Sequence, residues 1–277
     1  MSRYYQNLDA PHFDYGLIEL PGLQRPIRGP AVDLDAPFVA CIGAAQTFGR
    51  FCEQPFPAQL KQRLGIPVLN LAIGGSGPAL YRQPALLSVL QRARLVVAQV
   101  LSGRSASNSE FHTDGEIQGI LTATGERGRF EPLLPGILAS RPREFVARLL
   151  AETRADFSAQ FRALIAEVGC PTVLFWFAAR KPDYEAGFGS VAELLGGFPH
   201  FIDRTTVDAI AATAAGYVEC VGNRGFPQRL WRADAAIEGT RRHEDGWLYN
   251  HYYPTQAMHD DATAALEATC RSLLAAD

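Results

Sequence analysis

The sequence predicts an α/β protein in which a mainly parallel sheet is covered by helices on both faces. Three observations predict it. Short apolar runs take turns along the chain with stretches of helical spacing. Several of those runs are apolar throughout rather than at every second residue, the pattern of a strand buried on both faces. They also stop at loops rich in Gly and Ser, where a parallel strand hands over to its crossover.

Residues 1–36 are rich in aromatic residues, Pro and Gly (Tyr4, Tyr5, Phe13, Tyr15, Pro21, Pro26, Pro30). They show no period, which predicts an irregular arm packed on the domain or on a partner subunit. A homo-oligomer built through this arm is therefore left open. From Pro37 the pattern changes, and residues 37–277 read as one α/β domain. Phe38 to Ile42 is the first strand, ending at Gly43. Thr47 to Leu64 has helical spacing, split by Pro55 and Pro57, and Gly65 closes it as a C-cap.

The second strand, Pro67 to Ile73, stops at Gly74-Gly75-Ser76-Gly77. A helix from Pro84 to Arg92 leads to the third strand, Arg94 to Leu101, which ends in the polar run Ser102 to Asn108. Residues 109–141 read as an irregular, glycine-rich insertion or lid. Residues 143–168 form the strongest helix, with Phe145, Leu149, Phe157, Phe161, Leu164, Ile165 and Val168 on one side. Strand four runs from Thr172 to Phe177, a helix begins near Thr205, a strand spans Tyr217 to Val221, and the last helix covers Thr255 to Leu274.

Composition narrows the function classes. Of 277 residues, 47% are hydrophobic and 20% charged, enough for a large core and too apolar for a disordered chain. The net charge of −3 gives no overall attraction to nucleic acid or anionic lipid. Apolar runs such as Leu95 to Leu101 are far shorter than the ~20 residues of a membrane span. The N-terminus, with Arg3, Asn7, Asp9 and His12, has no apolar secretory core, so a cytoplasmic protein is expected. Cys41, Cys52, Cys170, Cys220 and Cys270 form no Cys-x-x-Cys motif. Free thiols in a reducing compartment and no zinc site are expected. No phosphate-loop or Gly-x-Gly-x-x-Gly motif implies a nucleotide, and no cofactor is expected.

In a sheet of this kind ligands bind beyond the carboxyl ends of the strands. Three unusual polar loops belong there: Gly43 to Arg50, Gly74 to Gly77, and Ser102 to Asn108. Their convergence by topology predicts a pocket.

The first of these loops, Gly43-Ala44-Ala45-Gln46-Thr47-Phe48-Gly49, resembles the opening block of the SGNH (GDSL-type) hydrolase superfamily, Gly-Asp-Ser-Leu-Thr-x-Gly. The run that follows is similar too. It comprises Phe56 to Leu60, Arg63 to Leu71, and Gly74-Gly75-Ser76-Gly77. Asp245-Gly246-Trp247 and Pro254 to His259 sit where that family keeps its last block. The resemblance implies a three-layer α/β/α fold with a mainly parallel, flavodoxin-like (SGNH-type) sheet. It also implies a second-block oxyanion glycine at Gly75.

The departures bear on the chemistry. In that alignment the nucleophilic serine falls on Ala45 and the preceding aspartate on Ala44, and a methyl group cannot attack a carbonyl. The third-block Gly-x-Asn-Asp has no counterpart in Ser102-Gly103-Arg104-Ser105. The Asp-x-x-His pair falls on Asn250 and Tyr253. Gly43 and Gln46 also resemble the Gly-Asn-Cys-Gln block of capsule polysaccharide biosynthesis proteins of the same broad fold, which implies acyl transfer to a sugar.

Several residues carry the remaining chemical options. Gln46 offers amide donors and an acceptor to a carbonyl or sugar hydroxyl, or else caps the helix start. Arg104, in a loop with Ser102, Ser105, Ser107 and Asn108, suits a phosphate, sulfate or carboxylate, or else pairs with an acid such as Glu110. Arg50 either joins it or lies at the surface. His259, with Asp260 and Asp261 beside it, is the first candidate for a general base, and His251 the second. Ser76 and Tyr253 complete the candidate substrate-binding set. Trp176, Trp231 and Trp247 either stack on a sugar or belong to the core.

Two readings follow. In the first the chain is an enzyme that transfers or hydrolyses an acyl or other anionic group on a small polar or sugar-like substrate without a serine nucleophile. His259 or His251 is then the base, and the Gly75 amide and Gln46 stabilise developing charge. In the second the chain is a binding module that recognises an anionic metabolite or glycan and has lost the chemistry.

Overall fold

A computed structural model describes residues 9, 11–23 and 25–276. Arg3, Tyr4, Tyr5 and Asn7 of the predicted arm lie outside the described residues. The strands of the main sheet are β1 (Leu17–Ile18), β2 (Ile27–Arg28), β3 (Val39–Ile42), β4 (Val68–Asn70) and β5 (Leu95–Gln99). Three short strands follow, β6 (Phe111–His112), β7 (Gly119–Leu121) and β8 (Arg127–Gly128), then β9 (Thr172–Ala178) and β10 (Gly216–Val221). The last three are β11 (Gln228–Arg232), β12 (Thr240–Arg242) and β13 (Trp247–Asn250).

The main sheet has the order β1-β2-β4-β3-β5-β9-β10. All pairs from β4 across to β10 are parallel, and the β1–β2 hairpin adds an antiparallel edge to β4. Numbered along the chain, the five parallel strands follow the 2-1-3-4-5 order of flavodoxin-like sheets. Their topological switch point lies between β3 and β5.

The period of two along each strand sends neighbouring side chains to opposite faces. Ala40, Ile42, Val96, Ala98, Leu174 and Trp176 pack in one core layer, with Leu80, Leu86, Phe157, Phe161 and Ile210. These partners come from α3 (Pro78–Tyr81), α4 (Pro84–Leu90), α6 (Arg143–Val168) and α8 (Arg204–Ala211). Val39, Cys41, Val97, Val173, Phe175 and Phe177 face the other layer, with Phe56, Leu60, Met258 and Leu266. Those come from α2 (Phe56–Leu64) and α9 (Gln256–Ala275). The result is a three-layer α/β/α arrangement.

Three expectations are corrected, and two further elements had none. The helical stretch after the first strand begins earlier, as the single turn α1 (Ala45–Phe48), and breaks over residues 49–55 before α2, where Gly49 takes φ 79°. Residues 109–141 are not irregular. They hold the antiparallel sheet β6-β7-β8 and the helix α5 (Leu134–Ser140), whose Phe111, Phe130 and Leu134 form a separate small core with Val146 and Leu149 of α6. The arm supplies the β1–β2 hairpin. Residues 228–250, for which the sequence reading offered no strands, fold into the antiparallel sheet β11-β13-β12. The short helix α7 (Val191–Leu195) likewise has no counterpart among the elements the sequence predicts. Each missed element is only two to seven residues long, too short for a period to register.

Candidate functional site

Parallel register sets Ile42 of β3 beside Ala98 of β5, so the loops leaving these strands emerge side by side at the switch point. Gly43 lies at the crowded junction. Its carbonyl accepts from the Tyr81 hydroxyl at 2.7 Å and from Ser76 Oγ at 3.1 Å. A Cβ there would stand 2.2 Å from Thr47 Oγ1 and 2.5 Å from Gln99 Oε1, so only glycine fits. Gln99 Oε1 also accepts from the Ala44 amide at 3.1 Å and from Thr47 Oγ1 at 2.7 Å, which orients the start of α1. Gly75, at φ 75°, presents its carbonyl to Ser105 Oγ and to the Ile117 amide, each at 2.9 Å. The loops after β3, β4 and β5 are thereby tied to one another.

A cavity of about 80 Å³ opens where they meet. Ala45 and Gln46 line it from the first loop, Gly75 and Ser76 from the second, and Ser102, Arg104 and Ser105 from the third. Ser76 and Ser105 direct their hydroxyls at the Gly43 and Gly75 carbonyls, so both brace the loops. Tyr253 and Tyr252 close the cavity from the segment before α9, beside Glu238 and Phe198, and Ile117 and Arg129 from the β6–β8 region.

Arg104 is largely buried, at 17% side-chain exposure. Its partner is not Glu110 but Glu131, reached by Nη1 at 2.8 Å, while Nε donates to Ser102 Oγ at 3.3 Å. Nη2 has no partner among the described residues. Burial opposes the charge, yet the field of neighbouring groups, Glu131 among them, outweighs it and raises the pKa above its ordinary value.

Ser102 Oγ receives the Arg104 backbone amide and Nε, both at 3.3 Å, and lies 3.2 Å from His200 Nδ1. With both lone pairs taken, the hydroxyl hydrogen goes to Nδ1, and Nε2 carries the imidazole proton. Burial, then Arg104 and Arg180, push the His200 pKa down to about 2. His200 is thus a neutral acceptor that fixes the Ser102 rotamer. It escaped the sequence reading because Phe198-Pro199-His200 lies outside every recognisable motif, and only the fold brings it under Ser102.

The structure corrects both histidine candidates. His259 sits on α9 inside the core and does not line the cavity. It is fully buried between Phe56 and Phe177, and its Nδ1 accepts from the Phe56 amide at 3.2 Å. Burial and then Arg28 push its pKa down to about 3. His251, at the end of β13, also lies off the cavity, with its Nε2 3.4 Å from His243 Nε2. Burial, Arg241 and His243 lower its pKa.

Other assignments change as well. Asn108 donates to Thr153 Oγ1 at 3.0 Å, away from the cavity. Arg50 is neither a surface residue nor a partner of Arg104. It is 1% exposed and paired with Asp9, and its Nη1 donates to the Tyr253 hydroxyl at 3.0 Å. Burial pushes the Tyr253 phenol up to about 12 against the opposing pull of Arg50, and that guanidinium engages its hydroxyl. Trp176 is core, and Trp231 and Trp247 lie on the β11–β13 sheet. Among the described residues no three His, Cys, Asp or Glu side chains are grouped to hold a metal ion.

The fold and site define a three-layer α/β/α protein with a small polar cavity at the switch point of a flavodoxin-like sheet. The chain belongs to the family described as a domain of unknown function (DUF6473), whose profile matches residues 2–114 and 131–274. Ile117 and Arg129 fall in the stretch between the two matches. No curated protein matches the sequence. Among solved structures, the chain is similar to a family 2 carbohydrate esterase with a carbohydrate-binding domain from Corynascus thermopiles (Myceliophthora fergusii). The identity is 12% and the TM-score 0.43, over 89% of this chain and 69% of that one. It is also similar to phospholipase A1 from Streptomyces albidoflavus, at 10% identity and TM-score 0.44, over 84% and 98%. A third is the lipase Lip_vut3 from a goat rumen metagenome, at 12% and 0.40, over 83% and 97%. No described helix is long and apolar enough to cross a membrane.

Proposed function

We propose that the chain is a ligand-binding member of the hydrolase-like α/β/α folds, with a cavity that recognises a small anionic metabolite or the acidic end of a glycan. One observation carries the reading. Arg104 lines the cavity with two of its three nitrogens held by Ser102 and Glu131, leaving Nη2 for a ligand. A guanidinium fixed in this way meets an oxyanion with little entropy left to lose. The cavity lining contains no imidazole, and the position aligned with a nucleophile is Ala45, which favours binding over acyl transfer or hydrolysis.

A catalytic reading keeps support from one pair. The Ser102 hydroxyl beside His200 has the form of a nucleophile and its base. An imidazole whose pKa is about 2 is a poor acceptor of that proton at neutral pH.

Calorimetric titration with acetate, propionate, butyrate and glucuronate, set against their neutral amides and glucose, tests the proposal. The anions bind and the neutral partners do not, and Arg104→Gln weakens binding by about tenfold or more, the worth of a charge-assisted hydrogen bond. Equal binding of anion and amide would overturn it. NMR of acetylated sugars and acetate esters incubated with the protein separates the readings. Intact molecules support binding, and turnover abolished by Ser102→Ala supports catalysis.

A further inference from the structure

We infer that the ligand carries an ammonium group as well as an anion, so that the cavity is built for a small amino-carboxylate zwitterion. The inference rests on the anion reading of Arg104 and adds a second pole, Glu238.

Glu238 lies in the loop between β11 and β12 and lines the same cavity of about 80 Å³ as Arg104. Its backbone is fixed: the carbonyl accepts from Arg50 Nη1 at 3.2 Å, and Arg50 is itself held by Asp9. The next residue, Gly239, is pressed so closely on Tyr253 that a Cβ would stand 2.3 Å from the ring. The carboxylate itself has no ion pair or hydrogen bond among the described residues. Its charge still acts on Arg104, Tyr252 and Tyr253, three residues of the cavity wall.

Arg104 and Glu238 therefore present opposite charges to one small volume without closing on each other. Arg104 is kept from Glu238 by its bonds to Glu131 and Ser102. Two separated opposite charges, a guanidinium held by Ser102 and Glu131 and an exposed carboxylate on an anchored backbone, match a dipolar ligand whose own poles lie the reverse way round. A lone anion would meet Arg104 and be repelled by Glu238. An ammonium group turns that repulsion into a second charge-assisted contact. Gln46 and Tyr252 line the same cavity and add neutral donors and acceptors.

The test compares matched pairs that differ only in the ammonium: glycine with acetate, β-alanine with propionate, and 4-aminobutyrate with butyrate. Titrations use the full chain at neutral pH. At least one amino acid binds about tenfold tighter than its parent acid, as one charge-assisted contact predicts. Glu238→Gln removes that advantage and does not weaken the parent acid. Its melting temperature stays within a few degrees of wild type, because the exposed carboxylate has no hydrogen bond or ion pair among the described residues to lose. Arg104→Gln weakens both members of each pair. Equal affinities within all three pairs, with Arg104→Gln still harmful, would overturn the zwitterion inference and keep the anion reading. Failure of all six probes to bind would overturn both.

Discussion

Arg50 grips both oxygens of Asp9, from Nε at 2.7 Å and from Nη2 at 3.1 Å, and the pair is sealed from solvent at 1% and 0% side-chain exposure. The remaining nitrogen of Arg50 reaches the Tyr253 hydroxyl and the Glu238 carbonyl. One guanidinium thus joins the N-terminal segment, the end of α1 and the rim of the cavity. Tyr15 adds its hydroxyl to Asp9 at 3.2 Å.

Removing one partner of such a pair strands the other. Asp9→Asn is expected to cost about 3–5 kcal/mol, since the Arg50 charge stays buried without its carboxylate. Urea unfolding of the variant and wild type measures it. The double variant Asp9→Leu/Arg50→Met is expected to cost less than the sum of the two single changes. A loss under 1 kcal/mol for Asp9→Asn would show that water reaches the pair.

Two buried histidines make stability depend on pH. His200 and His259 have folded pKa values of about 2 and about 3, below the ordinary 6.5. The unfolded chain takes up their protons as the pH falls through 6.5, and the folded chain does not until near 3 and 2. Their contribution is therefore complete above pH 6.5 and is lost on acidification, each histidine costing about 1.4 kcal/mol per pH unit below that point. Urea unfolding at pH 7, 6, 5 and 4 should show this slope. His259→Gln should flatten it by one proton whatever it does to absolute stability, and an unchanged slope would contradict the account.

Restoring a hydroxyl at the start of α1 should not restore an esterase. Ala45→Ser puts Oγ at the cavity wall, but no imidazole lines that wall to take its proton. Hydrolysis of p-nitrophenyl acetate is expected to stay at the rate of buffer alone. A burst of nitrophenolate would point to a base that the geometry does not reveal.

Gly43→Ala is expected to destabilise the fold by about 1–3 kcal/mol, in the range of overpacked cores. The new methyl must displace Thr47 Oγ1 or Gln99 Oε1, both under 3 Å away. Thermal unfolding followed by circular dichroism checks it. Ligand affinity should fall as well, because those two side chains orient the first turn of α1.

The layers of the fold were legible because each rests on a local pattern. The run from Val39 to Ile42, the run from Leu95 to Gln99 and the long helix from Arg143 to Val168 each declare themselves by burial or period within their own residues. The site was legible only as far as it follows from topology. Gly43, Gln46, Gly75, Ser76, Ser102, Arg104 and Ser105 sit at strand ends, and the strand order carries them to one place. Neither candidate histidine lines the cavity, because nearness in sequence to a resembling motif does not set which way a side chain turns. His259 turns inward to Phe56 and Phe177.

What the amino-acid order determined unaided was the alternation of strand and helix, the glycine at the crowded end of β3 and the methyl at the head of α1. Each of these is a property of a few consecutive residues. Which polar groups meet was decided by the tertiary structure alone. Arg104 finds Glu131 across 27 residues, Arg50 finds Asp9 across 41 and Tyr253 across 203, and Ser102 finds His200 across 98. Electrostatic partners act through a few ångströms of space, and that nearness exists only after the sheet has closed and its loops have been packed against one another.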